Sequence, residues 1–316
     1  DHHGMVSKEV VDTKTCAREG RFEEEQELEP SYRGGEPVWN TAARQGKRVA
    51  VFYWPGSDVK VNGRYPDVYY AYDRKPRLTL DERADGIISQ LSLPEKKRPD
   101  LIMAYMEQPD GNGHKYGPQS KLTRGAVLYV DSLLQSLYNR MQKLPYHADI
   151  NLVVLSDHGM AWVPGDHAVK LLPHLKPEWY TAVSGSVPAN IYAKEGCKDS
   201  IYNALKNVDH ISVWKKENVP AYLHYGSNSR VGDVVVSPDL GYVAYDKPII
   251  AGGTHGFDPQ LLDMHALFRA IGPAFSHTEI PHFRNTDIYE LICHLVGITP
   301  APNDGDLNEI KEILKP

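Results

Sequence analysis

The chain has 316 residues, of which 41% are hydrophobic and 24% charged, a composition that excludes disorder as the default and allows a sizeable buried core. Its 35 basic and 41 acidic residues leave a net charge of −6, without the basic excess that a nucleic-acid duplex partner calls for. No stretch approaches the roughly 18 to 20 consecutive apolar residues of a membrane span, the best runs being residues 150–155 and 232–236. Cys16, Cys197 and Cys293 are odd in number, widely spaced and form no CxxC pair, so neither a disulfide framework nor a thiolate zinc site is indicated. The first residues, Asp1-His2-His3-Gly4, carry no basic region or apolar run of a signal peptide.

In chain order, residues 37–45 read as a short helix with Pro37 in its first turn and Gly46 as its stop, and residues 48–54 as a strand. Thr79 and Glu82 form a capping box ahead of Ile87, Ile88 and Leu91, and residues 100–106 follow as a strand of the fully buried type. Across residues 122–144, Val130, Leu133, Leu134, Leu137 and Met141 share one helical face, and residues 150–155 form the next strand. Three such steps predict an α/β domain: a mixed, mostly parallel sheet flanked by helices. From about 188 to 250 the pattern changes to short strands at 190–193, 210–214, 233–236 and 242–245, a small α+β lobe inserted in a single domain. Residues 266–271 return as a strand, and 285–296 form a helix with Asn285 as cap, Ile288, Leu291, Ile292 and Leu295 inward, and Gly297 after it. The charged runs at 23–27 and 96–98 read as solvated faces.

Fourteen histidines make it useful to ask which stand beside carboxylates at the C-terminal ends of strands, where ligands gather in open α/β sheets. Three places qualify. After strand 100–106, Asp110 and His114 are separated by Gly111-Asn112-Gly113, and a tight glycine loop could aim both at one ion, although a polar turn with an exposed histidine fits the same residues. After strand 150–155 come Asp157 and His158, which read equally as a turn with an Asp cap. The third is His255 among Gly252, Gly253 and Gly256, either a surface turn or a loop pinned by a metal. Asp110, His114, Asp157, His158 and His255 are five oxygen and nitrogen donors, too many for one catalytic zinc with its three protein ligands and open position, so two ions with a further ligand elsewhere are expected.

These residues, with Asp1-His2-His3-Gly4, Glu36-Pro37-Val38-Trp39, Trp54-Pro55-Gly56-Ser57, the stretches 107–118, 156–160 and 254–259, and Ala301-Pro302-Asn303, resemble the nucleotide pyrophosphatase/phosphodiesterase family of the alkaline phosphatase superfamily. The resemblance implies an alkaline phosphatase-like fold and two zinc ions, one on Asp110, His114 and His255 and the other on Asp157 and His158. It implies hydrolysis of phosphodiester or pyrophosphate bonds in small nucleotides or related diesters, with periplasmic or extracellular placement. In the family a strand ending in Asp and a Thr or Ser nucleophile opening a helix precede the His-His-Gly motif. The expectation is therefore that both lie upstream of Asp1 and that the chain by itself is inactive. Tyr105 and Tyr72 would line the substrate pocket, or else be buried core tyrosines. Lys8 stands where the family has a phosphate-contacting Asn. It would place a point charge at the phosphate and favour monoesters or phosphonates, or be solvent-exposed. A Ser-His-Asp hydrolase is disfavoured, since no GxSxG elbow occurs.

Overall fold

The computed structural model describes residues 34–60, 63–72 and 75–316, and the backbone of two short strands, Val10–Val11 and Arg18–Glu19, paired antiparallel. Lys8 and the Asp1-His2-His3-Gly4 motif lie outside the described residues.

Strand Val49–Phe52 is buried throughout and pairs in parallel with Val68–Tyr70 on one side and Leu101–Ala104 on the other, as an uninterrupted apolar run covered on both faces should. Its side chains alternate between two layers. Ala50 and Phe52 meet Ile87 and Leu91 of helix Leu80–Leu91 and Leu133, Leu137 and Met141 of helix Lys121–Met141. Val49 and Val51, with Met103, meet Trp39 and Ala42 of helix Val38–Arg44 and Cys293 of helix Asp287–Val296.

Helix Leu80–Leu91 starts on the capping box read from the sequence: Glu82 N–H donates to Thr79 Oγ1 at 3.2 Å and Thr79 N–H to Glu82 Oε2 at 2.8 Å. Helix Asp287–Val296 does not use Asn285 as its cap. No side-chain cap bond is present, and the wholly buried Asp287 carboxylate instead accepts from Arg284 N–H at 3.2 Å and Asp306 N–H at 3.0 Å. Gly297 ends this helix in the left-handed region, φ +68°.

Strand Leu152–Leu155 pairs antiparallel with Phe268–Ile271, a partner that counting αβ steps does not reveal. Among the described residues no ladder joins this pair to the parallel sheet, yet both share the same two layers. Leu152 packs in the cluster that contains Ile102 and Ala104, while Val153 packs in the cluster that contains Leu291 of helix Asp287–Val296.

A separate four-stranded antiparallel sheet runs in the order Ile211–Lys215, Val234–Pro238, Ala189–Ala193, Tyr180–Gly185. The strand of this sheet that comes first in the chain, Tyr180–Gly185, begins upstream of the lobe boundary expected at about 188. Helix Lys198–Leu205 lays Ile201 and Leu205 on it, beside Leu171, Ile191, Val234 and Val236, which gives this sheet its own core.

Candidate metal centre

The segment expected as a glycine loop is a helix, Asp110–Tyr116. Asp110 and His114 are therefore one turn apart on the same face, with His114 Nε2 3.3 Å from Asp110 Oδ1. Glycines make this a poor helix by propensity, and tertiary contact overrides that preference. Gly252 and Gly253 belong to strand Gly252–Thr254, paired antiparallel with Ala161–Val163. A side-chain carbon on Gly252 would collide with the His114 carbonyl, and one on Gly253 with the Gly113 carbonyl. Helix and strand touch backbone to backbone because these positions lack side chains. Gly256, just after His255, has φ +102° and lies against the Val187 carbonyl where a Cβ would not fit, so the turn carrying His255 rests on the connection between strands Tyr180–Gly185 and Ala189–Ala193.

Asp157 and His158 follow strand Leu152–Leu155, and the fold brings them to the same place. His158 Nε2 is 3.8 Å from Asp110 Oδ1 and 3.6 Å from Asp157 Oδ2. The His158 and His255 rings stack at 3.4 Å and 13°, and the His114 and His255 rings are 5.1 Å apart at 51°. Asp110, His158 and His255 form the tightest set, with ligand atoms all within 4.8 Å of one another. Asp110 thus lies 3.3 Å from His114 and 3.8 Å from His158, with His255 beside both histidines and Asp157 reaching the group through its chain neighbour His158.

The ring nitrogens are sorted by their partners. His114 Nδ1 lies 2.8 Å from the Gly253 carbonyl and His158 Nδ1 2.8 Å from the Gly159 carbonyl. A carbonyl only accepts, so in the neutral ring each Nδ1 carries the proton and each Nε2 turns a lone pair toward the carboxylates. Asp110 Oδ1 is shielded from solvent with no aligned hydrogen bond, although His114 Nε2 lies 3.3 Å away. Acceptors converging on a buried acceptor fit a cation. With the His114 ring protonated instead, its hydrogen bond is the first cause holding the Asp110 carboxyl below the ordinary carboxylate range. Burial opposes it, and charge on His158 and His255 adds to it.

Tyr105 and Tyr72 lie side by side near this centre, ring centroids 5.7 Å apart, with Trp54 edge-on to Tyr105 at 6.5 Å and the Arg77 guanidinium 4.9 Å over Tyr72. The Tyr105 phenol is pushed up to about 12, first by burial and then by the charges of Asp157, Tyr72, Asp110 and Glu107. Sequence reasoning missed Arg83. It is wholly buried, donating from Nη1 to the Tyr105 carbonyl and Glu107 Oε2 at 2.7 Å each and from Nε to the Leu78 carbonyl at 3.1 Å, with its guanidinium 4.2 Å over the Tyr53 ring. It clamps the chain between strand Leu101–Ala104 and Asp110. The signal was present: position 83 falls in helical phase with Leu80 and Ile87, where a cation has no place unless paired.

The architecture and site together define an α/β protein with a candidate metal centre at the C-terminal ends of its strands. The sequence pattern described as type I phosphodiesterase / nucleotide pyrophosphatase matches residues 1–258, and the chain belongs to that family, with its alkaline phosphatase-like fold. It is 31% identical to venom phosphodiesterase CdcPDE of Crotalus durissus collilineatus, covering 100% of this chain and 39% of that protein. It is 30% identical to human ectonucleotide pyrophosphatase/phosphodiesterase family member 1, covering 100% of this chain and 35% of that one. The chain thus spans about two-fifths of the length of the curated relatives it matches most strongly. Among solved structures, human ectonucleotide pyrophosphatase/phosphodiesterase 5 superposes with a TM-score of 0.90 at 31% identity, covering 100% of this chain and 84% of that one. An inactive variant of the murine protein in complex with AMP superposes with a TM-score of 0.89 at 30% identity, covering 99% and 84%.

Proposed function

We propose that this chain is the catalytic part of a metal-dependent hydrolase of phosphodiester or pyrophosphate bonds in small nucleotides, acting outside the cell. Its metals are two zinc ions, one held by Asp110, His114 and His255 and the other by Asp157 and His158. The observation that carries the reading is the Asp110 carboxylate, whose solvent-shielded Oδ1 has His114 Nε2 at 3.3 Å and His158 Nε2 at 3.8 Å, with His255 beside them and two of the three imidazoles turning Nδ1 to a backbone carbonyl. Oxygen and nitrogen donors without thiolates suit zinc in a hydrolytic site. When bound, the ions would supply positive charge to the phosphate oxygens and lower the pKa of an attacking hydroxyl.

The chain's own residues position the substrate. Tyr72, Tyr105 and Trp54 offer aromatic surface to a base or aryl group, and Tyr105, held neutral, keeps negative charge away from the phosphate. Arg83 and Glu107 fix the strand exit that carries Tyr105 on one side and Asp110 on the other. No Thr or Ser of the described residues is assigned the attacking role. Placement outside the cell is supported by the names of the venom and ectonucleotide relatives. No helix among the described residues is long and apolar enough to cross a membrane.

The test compares the full-length protein, stripped of metal and then given zinc, on the nitrophenyl ester of thymidine monophosphate and on nitrophenyl phosphate. Zinc-restored diester cleavage that exceeds monoester cleavage is expected, and it should be lost in Asp110→Asn and His255→Ala. Dominant monoester turnover would transfer the site to the phosphomonoesterase or phosphonate hydrolase reading that Lys8 suggests. Turnover indifferent to metal would sink the assignment.

A further inference from the structure

Met160, two residues after His158, is half-buried and has no role in the reading above. Its side chain lies where two glycines leave room. A side-chain carbon on Gly113 would stand 3.2 Å from Met160 Cε and 3.5 Å from its Cγ, and one on Gly253 would stand 2.9 Å from both Cγ and Sδ. Gly113 is buried in the helix immediately before His114, and the Gly253 carbonyl receives the His114 Nδ1 proton. One thioether therefore touches the helix that carries Asp110 and His114, touches the strand that leads into His255, and is tethered through Gly159 to His158.

We propose that Met160 is a positioning residue for the metal centre: its side chain sets the spacing between helix Asp110–Tyr116 and strand Gly252–Thr254, and so holds His114 on the Gly253 carbonyl with Nε2 toward Asp110. The inference rests on the metal-centre reading. Helix and strand meet through bare glycine backbone, so apart from the His114 bond to the Gly253 carbonyl the side chain packed at Gly113 and Gly253 is that of Met160. An unbranched, polarisable side chain can follow the irregular surface between them, where a β-branched one would need a defined rotamer. Outer contacts that orient a ligating imidazole typically change metal affinity by about 10- to 100-fold when removed.

The test uses the protein itself, Met160→Ala and Met160→Leu. Three quantities are measured: zinc affinity by competition with a chromophoric chelator, the visible spectrum of the cobalt-substituted protein, and the urea midpoint of the metal-free form. In the metal-free form, nitrogen NMR of the imidazoles reports which His114 nitrogen is protonated. Met160→Ala is expected to weaken zinc binding about 10- to 100-fold, alter the cobalt spectrum and mix the two His114 tautomers. Met160→Leu, close in volume, should restore most of each. Wild-type zinc affinity and a single Nδ1–H tautomer in Met160→Ala would overturn the proposal. A loss that tracks the urea midpoint and is not restored by leucine would overturn it too, leaving Met160 as packing alone. If the wild-type protein takes up no zinc, the metal reading fails by itself, and the tautomer comparison still decides whether Met160 places His114.

Discussion

Arg83 and Glu107 allow a test of how this fold holds its strand exit. Glu107→Gln removes the negative charge but keeps the shape and one acceptor, leaving a guanidinium with 0% exposure facing the Leu78 and Tyr105 carbonyls and the Tyr53 ring. Breaking a buried ion pair by deleting one partner costs about 3–5 kcal/mol. The low end, about 3 kcal/mol, applies because Glu107 is 36% exposed and its own charge is partly solvated. Lys198–Glu217 is a built-in control: its separation is 2.8 Å against 2.7 Å, but its side chains are 39% and 53% exposed, so Glu217→Gln should cost about 0.5 kcal/mol or less. In urea unfolding, Glu107→Gln should lower the midpoint by about 1 M or somewhat less at unchanged slope, since a chain of this length has a slope of about 3 kcal/mol/M or more. The loss should persist in 1 M salt, where the Debye length is about 3 Å and the surface pair falls silent. Equal losses below about 1 kcal/mol in the two variants would refute the claim that burial rather than distance sets the strength of this pair.

Two glycine substitutions should part company: Gly125→Ala, in open space on helix Lys121–Met141, should stabilise by about 0.5–1 kcal/mol in the same assay, whereas Gly253→Ala, blocked by the Gly113 carbonyl and Met160, should destabilise and weaken zinc uptake. In the metal-free protein, carbon NMR of labelled tyrosines should find a resonance titrating near pH 12 that disappears in Tyr105→Phe. The folded value lies above the ordinary 10.0, so the unfolded chain loses this proton first; the contribution is complete below pH 10 and lost as pH rises toward 12. The Cys293 thiol is wholly buried, pushed up to about 11 by burial and then by Glu290, so a disulfide reagent at pH 8 should label Cys197 well before Cys293, as read by peptide mass; equal labelling would place Cys293 at the surface.

Locally encoded features were legible in the chain itself: the Thr79–Glu82 box, the apolar strand at 49–52, the facial stripe on helix Lys121–Met141, and three ligand pairs or singles after strands. Each depends on neighbours within a few residues, which is the range over which periodicity and capping act. The glycine-rich stretch at 110–116 misled, because propensity favours a loop while backbone contact with Gly252 and Gly253 makes a helix the better packed state. Tertiary structure alone decided that Asp110, His158 and His255 converge, that the Gly253 carbonyl fixes which His114 nitrogen faces Asp110, and that Leu152–Leu155 takes an antiparallel partner. The pairing of buried Arg83 with Glu107 belongs with them. Such facts join residues distant along the chain, and their free energy comes from packing and desolvation that exist only once separate elements are pressed together.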